Sequence, residues 1–197
     1  MIELKNINGG YGKKQVLFDI NTIMHKNEIT SIIGPNGCRK STLLEISSAL
    51  LKPYEGVVVA DGVNIHEMNA KDRAKKISVL SQQKNPGALT VRALVYHGRF
   101  PYLGYPRKYR DEDRKIVDEA MRTAGIYDLA EESLSELSGG QQQKAYIAML
   151  LAQNTDIVFL DEPVTFLDIN YQLELMEIIK ELKNNGNTVI VAIHDIN

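Results

Sequence analysis

The chain has 197 residues, of which 44% are hydrophobic and 24% charged, and 23 Lys and Arg against 25 Asp and Glu leave a net charge of -2. Such a composition carries enough apolar material for a core, which excludes wholesale disorder, and it lacks the strong basic excess of a sequence-blind nucleic-acid binder. The longest unbroken apolar run, from Ala145 to Ala152, falls far short of the ~18 residues of a membrane-spanning helix, and the single Cys38 can form no intrachain disulfide. The first residues, Met1-Ile2-Glu3-Leu4-Lys5, have neither the apolar stretch nor the cleavage site of a signal peptide, so a reducing, cytosolic setting is expected.

Along the chain, short β-rich runs alternate with amphipathic helical stretches, the pattern of an α/β fold. Strands are expected at residues 2–5, 29–33, 57–59, 77–80, 157–160 and 189–193. Several are solid apolar runs, as in parallel strands buried on both faces. A helix is expected from Ser41 to Leu51. Between Val91 and Leu150 helical patterns dominate, and Ile116, Val117, Ala120, Met121 and Ala124 share one face. Asp111 is placed to cap that helix and Gly125 to end it. Another helix opens at Ser138 and runs to Ala152, and a last one spans Tyr171 to Leu182. The picture is an α/β core interrupted by a mostly helical insert.

Three segments carry chemistry. The first is Gly34-Pro35-Asn36-Gly37-Cys38-Arg39-Lys40-Ser41-Thr42, after a buried strand and before a helix. In a phosphate-binding loop of this kind, backbone N–H groups and the helix N-terminus bind phosphate, the lysine reaches the β/γ-phosphates and the hydroxyl holds Mg²⁺. Lys40 and Ser41 are the residues for the last two roles. The strict spacing G-x-x-x-x-G-K-[ST] fails, because Arg39 occupies the second glycine position. The same residues also read as a glycine-rich strand-to-helix turn with an incidental Lys-Ser pair.

The second segment is the apolar strand 157–160 followed by Asp161-Glu162-Pro163. Asp161 can hold Mg²⁺ and Glu162 can orient or deprotonate an attacking water, although an acidic helix cap has the same appearance. The third is Leu137-Ser138-Gly139-Gly140-Gln141 at a helix N-terminus, which is a further anion site or a plain serine-capped turn.

Taken in this order, the three segments resemble the ATP-binding cassette family, whose signature is Leu137 to Gln141. Tyr11 matches the aromatic residue that stacks on adenine, Gln82 the loop glutamine that also serves the metal, Phe166-Leu167-Asp168 the D-loop, and His194 the switch histidine. Read singly, Tyr11 could be packing, Gln83 competes with Gln82, and His194 could cap a strand end. The resemblance implies a P-loop NTPase core with a parallel sheet, a small N-terminal antiparallel β region and an inserted helical subdomain. The core would comprise 1–87 and 153–197, and the insert about 88–152. It also implies ATP and Mg²⁺ as ligands, a head-to-tail homodimer with two ATP molecules between the protomers, and transmembrane permease subunits as partners at the cytoplasmic face of the membrane. Nucleic acid is not an expected partner.

A narrower likeness lies in Val91-Arg92-Ala93-Leu94-Val95, Gly98-Arg99-Phe100-Pro101-Tyr102 and the run from Leu167 to Leu175, which resemble importers of iron–siderophore complexes, haem or cobalamin. The basic and aromatic residues between Arg99 and Arg114 then read as a surface near the coupling helix of a membrane subunit, or as a solvated loop. Val164 stands where the family usually has Thr, and Gln142 where it has Arg. Family members continue beyond the position of His194 with another strand and helices, so a C-terminally truncated domain is expected. Arg39 is expected to clash with the phosphate path or force the loop open, at a cost of roughly 1–2 kcal/mol if the position needs positive φ. Two other readings are a nucleotide-binding-impaired remnant and a soluble cassette ATPase outside transport.

Overall fold

The structure is a computed structural model that describes residues 1–81, 87–164 and 168–193. In chain order its strands and helices are β1 (Ile2–Tyr11), β2 (Lys14–Met24), β3 (Ile29–Ile33), α1 (Lys40–Ser47), β4 (Glu55–Ala60), β5 (Val63–Asn64), α2 (Ala70–Lys76) and β6 (Ile77–Leu80). There follow α3 (Val91–His97), α4 (Asp111–Thr123), α5 (Gly139–Gln153), β7 (Ile157–Asp161), α6 (Ile169–Asn184) and β8 (Thr188–Ile193). The antiparallel sheet has the order β2-β1-β4-β5, and the parallel sheet the order β3-β8-β7-β6.

The parallel strands alternate between two apolar layers. Ile157, Phe159, Ile190 and Ala192 face Ile2, Leu4, Ile7 and Val58 of the antiparallel sheet together with Leu44 and Ile46 of α1. Val158, Leu160, Val189 and Val191 face the other way, into a layer built by Leu94, Val117, Met121, Ile147, Leu150, Leu175 and Ile179 from α3 to α6. All five residues of β7 are buried, which is why this strand reads as a solid apolar run. β6 and β7 are hydrogen-bonded neighbours although α3, α4 and α5 lie between them in sequence.

Three expectations about the strands and helices themselves need correction. The helix of the phosphate-loop region ends at Ser47 rather than Leu51: Ala49 turns left-handed, and the N–H groups of Leu50 and Leu51 both return to the Glu45 carbonyl. The Ala-Leu-Leu run is therefore a wound-down helix end. Asp111 is the first residue of α4 and not its cap. Arg110 holds the cap position, and its N–H donates to Asp113 at 3.0 Å. β3 is an edge strand, not one buried on both faces, with Ile29 and Ile33 exposed. Gly125 does end α4, at φ +62° just past the cap.

Arg99 is also not a surface residue. It is buried, donates through Nε to Asp113 at 2.9 Å and through Nη1 to the Ala152 carbonyl at 2.8 Å, and lies 3.9 Å from the Tyr102 ring centroid. Tyr102 donates its hydroxyl to the carbonyls of Gln153 and Asn154. The two side chains thus bond the last two carbonyls of α5, those of Ala152 and Gln153, and that of the cap residue Asn154.

Candidate nucleotide site

The loop 34–39 leaves the end of β3 and enters α1, and β7 ends beside it with Asp161 and Glu162. Lys40, only 5% exposed, turns its ammonium back across the loop, donating to the carbonyls of Gly34 at 2.6 Å and Pro35 at 3.2 Å. The same nitrogen lies 3.9 Å from a carboxylate oxygen of Glu162. The loop is thereby closed around a fixed cation, with the N-terminus of α1 alongside.

Arg39 does not force this loop open. Its side chain is exposed, and its backbone adopts the left-handed conformation, φ +73° and ψ +27°, at the N-cap of α1. The position demands positive φ, and a non-glycine residue bears that strain. Glu162 is a second residue of this kind, at φ +49°, with its N–H bonded to the Ala192 carbonyl on β8.

Asp161 lies deeper. It is 7% exposed, and its Oδ1 is a buried polar atom with no hydrogen-bond partner. Burial pushes its carboxyl above the usual range, and the charges of Glu162 and Glu45 add to this, while a hydrogen bond with Ser41 and the Lys40 charge oppose it. An uncompensated carboxylate oxygen beside the Ser41 hydroxyl fits the requirements of a hard divalent cation. Among the described residues no three His, Cys, Asp or Glu side chains converge to hold a metal by themselves. An ion here would need its remaining oxygen ligands from outside these side chains.

Tyr11, at the tip of the β1–β2 hairpin, is 49% exposed. Its hydroxyl donates to Glu45 at 2.6 Å and accepts from Thr42 at 3.3 Å, which ties the hairpin to α1. Glu45 escaped the sequence reading, because a helical glutamate 34 residues from its tyrosine partner leaves no local signal.

Ser138 caps α5. Its hydroxyl accepts from the Gln141 N–H at 3.3 Å, and the Gln141 side chain accepts from the Ser138 N–H at 2.9 Å. Gly139 and Gly140 form the first turn, whose Gln143 donates to the Pro163 carbonyl at 2.7 Å and so touches the segment after Glu162. Among the described residues no hydrogen bond or ion pair joins Ser138–Gln141 to the loop 34–42. Gln142 fills the place of the family's Arg by donating to the carbonyls of Leu134 and Leu137. Asp168 caps α6 and accepts from the Tyr171 N–H at 3.0 Å. Gln82, Gln83, Phe166, Leu167 and His194 lie outside the described residues.

A parallel strand, a loop closed by its own lysine, a helix N-terminus and a carboxylate pair at the end of the adjoining strand layer define an α/β domain of the P-loop NTPase class. The family model for "ABC transporter" matches residues 17–165. The chain is 43% identical over 190 residues to the iron(3+)-hydroxamate import ATP-binding protein FhuC of Bacillus subtilis, covering 95% of this chain and 71% of that one. It is 44% identical over 190 residues to the ferric enterobactin transport ATP-binding protein FepC of Escherichia coli, covering 95% and 70%. A solved dimer of the ATP-binding cassette MJ0796 in a post-hydrolysis state bound to ADP and Pi superposes with a TM-score of 0.87 at 32% identity, over 100% of this chain and 89% of that one. The chain belongs to the ABC transporter family.

Proposed function

We propose that the chain is the ATP-binding and ATP-hydrolysing subunit of an importer for iron–siderophore complexes, haem or cobalamin. The observation that carries this is the convergence of the Lys40 ammonium, the Ser41 hydroxyl and the two carboxylates of Asp161 and Glu162 at one loop. The names of the similar import proteins support the iron–siderophore class. Two such cassettes pair head to tail, with Ser138 and Gly140 of one facing the loop of the other, and the pair attaches to permease subunits at the cytoplasmic face of the membrane. The division into a core of 1–87 and 153–197 with a helical part at about 88–152 is part of this reading, and the pairing of β6 with β7 supports it.

Phosphoryl transfer to water needs positioning and charge neutralisation more than covalent chemistry. Lys40 is held at the loop by two carbonyls, and binding a phosphate there exchanges those bonds for charge-assisted ones. Ser41 and Asp161 would hold Mg²⁺, with Gln82 as a further ligand. Bound Mg²⁺ would neutralise charge on the β/γ-phosphates. Glu162, the carboxylate nearest Lys40, orients the water and takes its proton. Ser138 and Gly140, at the positive end of α5, receive the γ-phosphate of the partner's nucleotide.

Arg39 favours a second reading, a cassette of this kind whose nucleotide affinity is impaired. A left-handed arginine both strains the loop and places a long side chain where family members have none. Titration with Mg-ATP of this chain beside its Arg39→Gly version tests both. Binding by the glycine version with turnover supports the ATPase, and equal affinity in the two removes the impairment. Absence of binding in both overturns the nucleotide site itself.

A further inference from the structure

The phenol of Tyr11 is held from two sides. Its O–H donates to a Glu45 carboxylate oxygen at 2.6 Å, and its oxygen accepts from the Thr42 hydroxyl at 3.3 Å. Both partners lie on α1, within five residues of Lys40, so the same helix that starts at the phosphate loop holds the hairpin tip. A hydrogen bond to an ionised carboxylate is short and about twice as strong as a neutral one. The hydroxyl end is pinned while half of the tyrosine stays exposed, which leaves ring surface open. A second phenol tightens the same tip, since Tyr54 donates to the Gly12 carbonyl at 2.9 Å. A hairpin tip projecting from an edge would otherwise let its aromatic side chain sample several rotamers.

We propose that Glu45 is a positioning residue for nucleobase binding: through its hydrogen bond to the Tyr11 hydroxyl it fixes the ring on which the purine base of the nucleotide stacks. This rests on the nucleotide reading given above and adds a residue to it. Stacking of a base on an aromatic ring contributes about 1–3 kcal/mol, and an unpinned ring must first lose its freedom to supply it. Glu45 also carries charge toward Asp161, so a change at Glu45 has two routes to affinity: ring placement and electrostatics at the metal side. The two separate cleanly. Ring placement acts on ATP and not on inorganic tripolyphosphate, which has no base. Charge acts on both, and is lost in Glu45→Gln as fully as in Glu45→Ala, whereas the glutamine oxygen still accepts the phenol hydrogen bond.

The experiment is calorimetric titration of Arg39→Gly protein with Mg-ATP and with magnesium tripolyphosphate, in five versions: parent, Glu45→Ala, Glu45→Gln, Tyr11→Phe and the double variant Tyr11→Phe with Glu45→Ala. The expected result is a loss of about fivefold to tenfold in ATP affinity for Glu45→Ala, with tripolyphosphate unchanged and Glu45→Gln close to the parent. Tyr11→Phe, which cannot make the bond, loses as much as Glu45→Ala, and adding Glu45→Ala to Tyr11→Phe costs nothing more. Parallel losses for ATP and tripolyphosphate overturn the proposal, as do unchanged ATP affinity in Glu45→Ala or a further loss in the double variant. A parent that binds tripolyphosphate as tightly as ATP also overturns it but leaves the phosphate site standing. A parent that binds neither removes the nucleotide reading and this proposal together.

Discussion

Gly98 meets the backbone of Met149 so closely that a methyl group on Gly98 would stand 2.4 Å from the Met149 carbonyl oxygen. This contact brings the end of α3 onto the last turn or so of α5, and Arg99 and Tyr102 follow at once to bond the end of α5. Gly98→Ala must therefore push the two helices apart. The expected cost is about 1–3 kcal/mol, as for other overpacked cores. A lowered thermal midpoint, with the near-ultraviolet tyrosine signal altered before unfolding, checks it. An unchanged midpoint would mean that the helices yield freely.

Arg39→Gly acts on strain and on access. Relief of a left-handed non-glycine residue stabilises the folded chain by roughly 1–2 kcal/mol, read as a rise in the urea midpoint without nucleotide. Mg-ATP affinity rises at least about tenfold, or ~1.4 kcal/mol. Stabilisation without tighter binding would confine Arg39 to a structural burden.

Asp161 carries a pH dependence. Its carboxyl is raised in the folded chain, chiefly by burial, so the folded state binds the proton more tightly than the unfolded state does. The resulting cost is absent below the ordinary carboxyl range, grows as pH rises through the raised value, and is complete above it. Asp161→Asn should raise the thermal midpoint of the metal-free chain at neutral pH and lose that advantage in acid. The same substitution should weaken Mg²⁺-dependent nucleotide binding, so the two readouts move in opposite directions. Destabilisation at neutral pH would contradict the orphaned oxygen described for this residue.

Glu162→Gln, in the Arg39→Gly background, should keep ATP binding and lose most of the turnover, because the proposed function assigns the carboxylate to the water and Lys40 with the loop to the phosphate. Single-turnover phosphate release reads the chemistry apart from binding. Persistence of near-parent turnover would require a different base.

Ser138→Arg tests the composite site. In protein carrying Arg39→Gly and Glu162→Gln, sedimentation should show an ATP-dependent dimer that Ser138→Arg abolishes, with monomer affinity for ATP nearly unchanged. A stable ATP-bound dimer with Ser138→Arg would place the signature segment away from the interface.

The legible parts of this chain are those whose signal is continuous. The strands at 29–33 and 77–80 match β3 and β6 to the residue because both are short runs rich in β-branched and apolar residues, and the phosphate loop, Asp161-Glu162 and Ser138–Gln141 are contiguous in sequence. β2 was missed for the opposite reason: Lys14–Met24 mixes Lys, Gln, Asp, Asn and Thr with apolar residues, and only Leu17 and Met24 are buried. The wound-down end of α1 was missed because Ala49, at φ +59°, is a residue that normally continues a helix. Arg99 looked like surface charge because its partners, Asp113 and the Ala152 carbonyl, are 14 and 53 residues away. The Tyr11–Glu45 bond is invisible on the same ground.

The two finished ends of α5 have a mechanical consequence. With Ser138 and Gln141 closing one end and Arg99 and Tyr102 clasping the other, its 15 residues form a strut about 22 Å long with no frayed turn to absorb motion. A strut transmits angle as displacement. A tilt of about 5° at the Arg99 clasp sweeps the serine end through about 2 Å, enough to make or break a hydrogen bond at that end. Leverage of this kind lets a small push on the segment around Phe100 be felt at the far tip, without any rearrangement inside the helix that carries it.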